Sequence, residues 1–523
     1  MPKLTIDNRE VEVAHGATVL DAARKLGIDV PTMCYRDGLK PNTSCMVCVV
    51  KLARRTGFVP SCGMPAVDGM HVESDTDEVA RARRSAVELL LSDHLGDCMA
   101  PCHCVCPAEM NIPLMIRQIA AGRMRDAIVT VKADIALPAV LGRICPAPCE
   151  KGCRRAQIDA GVSICLLKRH VADMDLAGGD PWRPDLPPDS GRRVAIVGGG
   201  PTGLAAAYYL RRFGHAAVVL DDADAPGGML RRGVEADRLP RDVLDAEIAT
   251  IAAVGAELRR GVRVGRDVPM DELLRDYDAV LAAPGAIDEE QAALLRLPWA
   301  GKAGVKYDRH TYATGAGKLF AACSARQQKL TVRAVADGKG AATAIHQFLT
   351  DLPLTGRRRP FTCHVGRLRE DEGQLFLAEA DARARVEPGD PPAGFTAAEA
   401  AAECSRCLHC DCRAADDCLL RRCAEQLGAD ASKHKTERRT FEQQRHAAGV
   451  IYEPGKCINC GLCVQVTAAA GERLGLAFSG RGFKARIRVP LGHSLTEGLA
   501  KAAAEVVAAC PTGALTFRDA PRK

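Results

Sequence analysis

The 523-residue chain carries a net charge of only +6, spread without a basic stripe, which argues against a nucleic-acid partner. Its length predicts three or four domains with real cores. No run of eighteen apolar residues occurs, so no membrane span is expected, and the opening MPKLTIDNREVEV lacks the apolar stretch of a signal peptide, which leaves a cytoplasmic location as the expectation.

Of the 24 cysteines, all but Cys323 and Cys363 fall into five tight sets. A disulfide framework would require an oxidising compartment and usually a small secreted domain. Structural zinc is an alternative for any single set, because CxxC pairs serve both metals. Five sets in one chain favour iron-sulfur ligation. The expected architecture is multidomain α+β and α/β.

Residues 1–92 read as a β-grasp domain. Strands LTID and VEVA precede a helix from Thr18 to Leu26, opened by Thr18 with Asp21 three residues on. Cys34, Cys45, Cys48 and Cys62 follow, spaced to hold one 2Fe-2S cluster from a loop and the next strand. The motifs MCYRDGL, SCMVCVVKL and PSCGMPAVDGM resemble the N-terminal domain of the large iron-sulfur subunit of complex I and of iron-only hydrogenases.

Residues 93–178 read as an α-helical module with Cys98, Cys102, Cys104 and Cys106, then Cys145, Cys149, Cys153 and Cys165. GDCMAPCHCVCPAEMNIPLMI and GRICPAPCEKGCRRAQIDAGVSICLLKRHV resemble the cysteine-rich domain of the glutamate synthase small subunit and the equivalent part of dihydropyrimidine dehydrogenase. The resemblance implies two 4Fe-4S clusters with crossed ligands: Cys98, Cys102 and Cys153 on one, Cys106, Cys145 and Cys149 on the other. The family's upstream CxxC is missing and Lys168 stands at its distal glutamine position, so each cluster lacks a ligand. His94 is the candidate substitute on the first, an H-x3-C element also seen in the complex I subunit, with a plain helix-end histidine as the alternative. Cys165 is the candidate on the second, three residues before Lys168 on a helix, and Cys104 is spare.

Residues 190–352 begin with RRVAIVGGGPTGLAAAYYLRRFGHAAVVLDD, a strand, glycine-rich turn, helix and second strand. Gly198 permits the turn, Gly200 the approach of a pyrophosphate, and Gly203 close helix packing, while Asp221 is placed for an adenosine ribose. PGGML, containing Gly227, Gly228 and Met229, and APGA at 283 to 286 match the glutamate synthase small-subunit pattern, where this Rossmann unit holds FAD. In that family a second Rossmann unit for NADPH follows. Here about thirty residues intervene before the returning GKLFAACSARQQ, too few for a nucleotide-binding βαβαβ half, since each βαβ takes about thirty. The usual Gly-Gly-Asp near the flavin is replaced by Ala322, Cys323 and Ser324.

Residues 396–430 hold Cys404, Cys407, Cys410, Cys412, Cys418 and Cys423 in a stretch too short for a core, so a metal is expected to fold it. Cys407, Cys410, Cys412 and Cys418 are the preferred ligands of a cluster or a zinc, with Cys404 and Cys423 as alternatives. Residues 440–523 carry CINCGLC and a remote Cys-Pro, a ferredoxin-type pattern placing one 4Fe-4S cluster on Cys457, Cys460, Cys463 and Cys510. The glycine-rich GRGFKARIRVP between them reads as a strand pair.

The cofactors expected are FAD, one 2Fe-2S and three to four 4Fe-4S clusters. The function expected is that of an electron-transfer subunit of an oxidoreductase, relaying electrons between a redox partner and FAD. By analogy with related modules, that partner is an NADH-oxidising flavoprotein or a molybdenum or tungsten oxidoreductase. The alternatives are a self-contained NAD(P)H dehydrogenase and a non-catalytic redox-responsive scaffold.

Overall fold

Apolar residues alternate along Lys3–Ile6 (β1) and Arg9–Glu12 (β2), so Leu4, Ile6 and Val11 share the buried face of an antiparallel hairpin. Asp7 and Asn8 close it, both with positive φ, as a two-residue turn of this hand requires. Val49–Leu52 (β3), Phe58–Pro60 (β4) and His71–Glu73 (β5) complete a mixed sheet of order β2-β1-β5-β3-β4. Helix Val19–Lys25 packs on it, and its start is fixed by a capping box. Thr18 Oγ1 accepts from the Asp21 N–H at 3.2 Å while the Asp21 carboxylate accepts from the Thr18 N–H at 2.8 Å.

The computed structural model describes residues 1–53, 55–323 and 330–519, and it divides into two units that are each discontinuous in sequence. The first comprises Met1–Ala100, Pro360–Ala378 and Cys410–Lys523; the second comprises Pro101–Arg359 and Glu379–His409. The cysteine-rich stretch at 396–430 is therefore split. Its first helix, Ala397–Cys404, packs on helices Ile112–Ala120 and Ile164–Ala177 of the second unit, whereas helix Leu419–Leu427 packs on helix Asp77–Ser92 of the first. Within the first unit, Val450–Tyr452 pairs antiparallel with Leu515–Phe517, bringing the CINCGLC loop beside Cys510. The expected strand pair is Ala477–Ser479 against Arg486–Arg488.

In the second unit a parallel sheet is formed by Arg193–Val197 (β6), Ala216–Leu220 (β7), Glu257–Arg259 (β8), Ala279–Ala282 (β9) and Leu319–Ala321 (β10), in the order β10-β9-β6-β7-β8. Chain order reverses at β6, which makes the carboxyl ends of β6 and β9 the crevice where such sheets take ligands. Residues 287–318 contribute the short helix Glu289–Leu294, and Ile287, Ala292, Leu295, Leu297 and Val305 fill the core beneath the sheet. That stretch adds no strand to the parallel sheet.

Candidate iron-sulfur and dinucleotide sites

The glycine-rich turn after β6 is built for a group that approaches the backbone. A Cβ at Gly198, where φ is +107°, would sit 2.4 Å from the Ala283 carbonyl oxygen, and one at Gly203 would sit 1.9 Å from that of Gly198. At Gly200 a Cβ would meet nothing within 4 Å, so the space above the start of helix Pro201–Arg212 is open. Gly228, at φ +51°, passes so close to Gly200 that its own Cβ would lie 2.9 Å from the Gly200 Cα. Met229 opens the helix that follows and is exposed. Asp221 ends β7, and its carboxylate accepts hydrogen bonds from the N–H groups of Gly199 and, at 2.9 Å, Ala223. A contact that the motif did not predict is Gly338, on helix Thr331–Leu349, where a Cβ would lie 2.2 Å from the Thr202 carbonyl oxygen. Cys323 is buried among Leu319 and Ala321, and burial pushes its thiol up to about 12. Ser324 lies outside the described residues.

The thiols of the first set converge. Cys34 is hydrogen-bonded to Cys45 and Cys62, and Cys48 to Cys62, which holds the Cys34 and Cys48 thiols well below their ordinary range and raises those of Cys45 and Cys62. All four are buried. The Arg83 guanidinium is buried next to them and donates to the Val49 carbonyl at 3.1 Å.

Cys106, Cys145, Cys149 and Cys165 come together in the second unit. Cys165 is hydrogen-bonded to Cys145 and Cys149, and all four act on the buried ammonium of Lys168, whose Nζ lies 3.9 Å from the Cys165 sulfur. Burial works against the Lys168 charge, but the four thiols outweigh it and raise its pKa. Lys168 is a cation held among thiols.

The terminal set also converges. Burial raises the pKa values of Cys457, Cys460 and Cys463, the neighbouring thiols of the set, Cys510 among them, add to the rise, and the Asn459 N–H donates to the Cys457 sulfur at 3.4 Å. Asn42, in the loop between Cys34 and Cys45, donates through Nδ2 to the Cys460 carbonyl at 3.0 Å. The first and last sets are thus neighbours within the first unit.

The remaining cysteines fall on both sides of the division between the units: Cys404 and Cys407 belong to the second, and Cys410, Cys412, Cys418 and Cys423 to the first. The Cys404 to Cys407 turn is bound to the segment that follows Cys153. The Glu403 carboxylate accepts from the Ser163 N–H at 2.7 Å, Arg406 donates to the Ala160 carbonyl at 2.8 Å, and Arg155 donates to the Arg406 carbonyl at 2.9 Å. Cys102 lies on helix Pro101–Val105, which packs on Ile112–Ala120, the helix that Ala397–Cys404 also touches. Cys98 lies in the first unit, against Cys363. His94 keeps a buried Nδ1 without a hydrogen-bond partner, and burial lowers its pKa to about 4. Among the described residues no three His, Cys, Asp or Glu are arranged to hold a single metal ion.

A 2Fe-2S iron-sulfur cluster binding domain model matches residues 2–77, a dihydropyrimidine dehydrogenase domain II, 4Fe-4S cluster model matches 81–179, and an NAD(P)-binding Rossmann-like domain model matches 196–260. The three models match separate stretches of the chain between residues 2 and 260. It is 42% identical over 207 residues to the NADP(+)-dependent formate dehydrogenase subunit beta of Moorella thermoacetica, covering 36% of this chain and 29% of that one. It is 36% identical over 221 residues to the glutamate synthase (NADPH) small chain of Mycobacterium tuberculosis, covering 39% and 45%. It is 36% identical over 189 residues to the NAD-dependent dihydropyrimidine dehydrogenase subunit PreT of Escherichia coli, covering 36% and 45%. The matched stretch spans less than half the length of each relative. Among solved structures, an NAD+-reducing nickel-iron hydrogenase aligns over 99% of this chain and 88% of that one at 12% identity and a TM-score of 0.37, too loose a match to assign a fold. No helix among the described residues is long and apolar enough to cross a membrane.

Proposed function

We propose that the chain is a cytoplasmic electron-transfer subunit that relays electrons between a partner redox protein and FAD through iron-sulfur clusters. The observation that carries this reading is the rigid junction, inside one unit, between the dinucleotide fold and the Cys106, Cys145, Cys149 and Cys165 set. The buried Glu247 carboxylate, on a helix of the dinucleotide fold, accepts from the N–H groups of Ala139 and Val140, both at 2.8 Å, at the start of the helix that leads to Cys145. Lys339 pairs with Asp134, and Arg357 donates to the Ala108 carbonyl at 3.2 Å, two residues beyond Cys106. A redox group on the Rossmann turn and a cluster on those thiols would be held at fixed separation.

The residues fit FAD. Gly200 leaves the phosphate space clear, Gly198, Gly203, Gly227 and Gly228 permit the close backbone course around it, and Asp221 orders the turn through Gly199. FAD supplies two-electron exchange with one side and single-electron exchange with clusters. The β-grasp reading of the N-terminal sheet, with a 2Fe-2S cluster on Cys34, Cys45, Cys48 and Cys62, supplies an entry port. The 4Fe-4S sites are Cys106, Cys145, Cys149 and Cys165; Cys457, Cys460, Cys463 and Cys510; and Cys102 and Cys153 with Cys404 and Cys407. The last pair stands in for the upstream CxxC that the helical module lacks, an assignment supported by the Glu403 and Arg406 hydrogen bonds beside Cys153. A flavin-containing or molybdenum or tungsten oxidoreductase subunit is the partner this chemistry suits.

The test is the visible spectrum of the anaerobically purified chain, with no partner present, before and after NADH or NADPH. The relay reading expects no bleaching until dithionite is added. Rapid bleaching by the nicotinamide would replace it with the self-contained dehydrogenase, a reading favoured by the NAD(P) description of the model matching residues 196–260.

A further inference from the structure

Cys363 has no cysteine nearer in sequence than Cys323 and Cys404, and nothing in its own segment marks it as a ligand. The fold gives it company. The Pro360–Ala378 segment returns to the first unit and lies along the residues around Cys98. The Cys363 N–H donates to the Cys98 sulfur at 3.4 Å, the Met99 N–H donates to Thr362 Oγ1 at 3.2 Å, and the Val365 N–H donates to Asp97 Oδ1 at 2.8 Å. On the other side, the Cys412 N–H donates to the Cys98 carbonyl at 3.3 Å. Arg421 donates to the Phe361 carbonyl at 3.0 Å and to that of Ala415 at 2.7 Å, fixing the start of the Cys418 helix against the same segment. Cys98, Cys363 and Cys418 belong to one apolar core, and all four sulfurs belong to residues less than 9% exposed.

The surroundings suit a charged group. Four buried thiols each act electrostatically on others in the set: Cys98 on Cys363, Cys412 and Cys418, and Cys412 on Cys418. Lys456, only 4% exposed, presents its ammonium to Cys412 and pairs with Glu453. Gly513 keeps room beside Cys412, since a Cβ there would come within 2.3 Å of its sulfur. A buried cation acting on Cys412 and Cys98 offsets part of the negative charge that a cluster brings into a low-dielectric core.

We propose that Cys98, Cys363, Cys412 and Cys418 bind a 4Fe-4S cluster in the core of the first unit, where the same apolar cluster also contains Cys34 and Cys45 of the first thiol set and Cys460 of the last. Assembly from two ferrous ions, two ferric ions and four sulfides gives the 2+ core with no net redox change, forms one iron-thiolate bond per cysteine and releases one proton from each thiol, and the assembled cluster exchanges one electron with no bond broken. The site lies beside the other two sets of the first unit and gives electrons entering there a stepping point. It deepens the relay reading, on which its role as a stepping point rests, while its metal content is a separate matter.

The full-length chain, purified anaerobically and reconstituted with sulfide and a mixture of ferrous and ferric iron, tests it. Cys363→Ser and Cys418→Ser should each lose about four irons and four sulfides per chain and one 4Fe-4S signal in the electron paramagnetic spectrum of the reduced protein. Flavin content and the 2Fe-2S signal should be unchanged, and Cys423→Ser should lose no iron. Full iron retention in Cys363→Ser overturns the proposal. So does zinc in place of the iron, or a Cys98 to Cys363 disulfide in a non-reducing peptide map. Because substitution in a core can prevent folding, the unmodified chain gives a second reading. As a chelator strips iron, all four cysteines should become open to alkylation in step with the loss of one cluster signal; alkylation of Cys363 that does not follow iron loss overturns the assignment. Bleaching by NADPH alone would end the relay reading and leave these iron counts standing.

Discussion

Cys34 and Cys45 of one thiol set share an apolar core with Cys98, Cys363 and Cys418 of another, but the two sets are assembled in opposite ways. Cys34, Cys45, Cys48 and Cys62 come from one loop and the strands after it, so local backbone geometry brings them together. Cys98, Cys363, Cys412 and Cys418 come from three separate passages of the chain through the unit, joined by the hydrogen bonds around Cys98 and Phe361. A site of the first kind can be read from spacing. One of the second kind is also a cross-link, and whatever binds there closes long loops in the unfolded chain.

That difference predicts the largest effect. Loss of the proposed cluster through Cys363→Ser should destabilise the first unit by on the order of 4 kcal/mol, against about 3 for Cys62→Ser, because the loops closed are longer. Urea midpoints and proteolysis within residues 360–378 measure this, and equal costs would erase the distinction. Next in size is Gly203→Ala in the second unit, where the new Cβ has no room before the Gly198 carbonyl. Overpacking of about 1–3 kcal/mol should empty the flavin site while leaving the iron content intact, read from the flavin-to-iron ratio.

Two of the buried lysines extend the comparison to charge. Lys168 faces the Cys106, Cys145, Cys149 and Cys165 set, whereas Lys456 is paired with Glu453. Lys168→Met should lower the potential of its cluster alone by on the order of 100 mV, since a nearby cation favours the more negative reduced state. Lys456→Met should also cost stability, because it leaves Glu453 buried without its nearest cation. Redox titration followed by paramagnetic resonance separates the two.

A smaller effect concerns the junction inside the second unit. Burial raises the Glu247 pKa to about 7 from its ordinary 4.5, despite the two backbone hydrogen bonds it accepts. Its folded-state pKa lies above the unfolded one, so its contribution is full below about 4.5 and is lost as pH rises through about 7. Glu247→Gln should flatten that part of the stability curve. An unchanged slope in urea denaturation between pH 5 and 8 would place the titration elsewhere. Smallest is the N-terminal cap, where Thr18→Ala should cost about 1 kcal/mol in thermal unfolding of the first sheet and leave every redox signal in place.

Much of the molecule was legible where its chemistry is local. The Thr18 and Asp21 capping box, the hairpin ahead of it and the turn from Gly198 to Gly203 each depend on residues a few positions apart, and each is found. The convergence of Cys165 on Cys145 and Cys149 follows from helix geometry around Lys168, so it too could be anticipated. Cys363 could not, because only the return of the Pro360–Ala378 segment gives it partners. Nor was it legible that the run from Cys404 to Cys423 divides, with helix Ala397–Cys404 packing in the second unit and helix Leu419–Leu427 in the first. Gly338 was equally hidden, since its need for space arises from the helix Pro201–Arg212 that it meets.

The most direct test of the relay is rapid mixing of the oxidised chain with less than one equivalent of a one-electron reductant, following cluster and flavin absorbance together. The account predicts that cluster bands bleach first and recover as the flavin band bleaches. Flavin reduction with no cluster intermediate, or electrons that remain on the clusters, would contradict it.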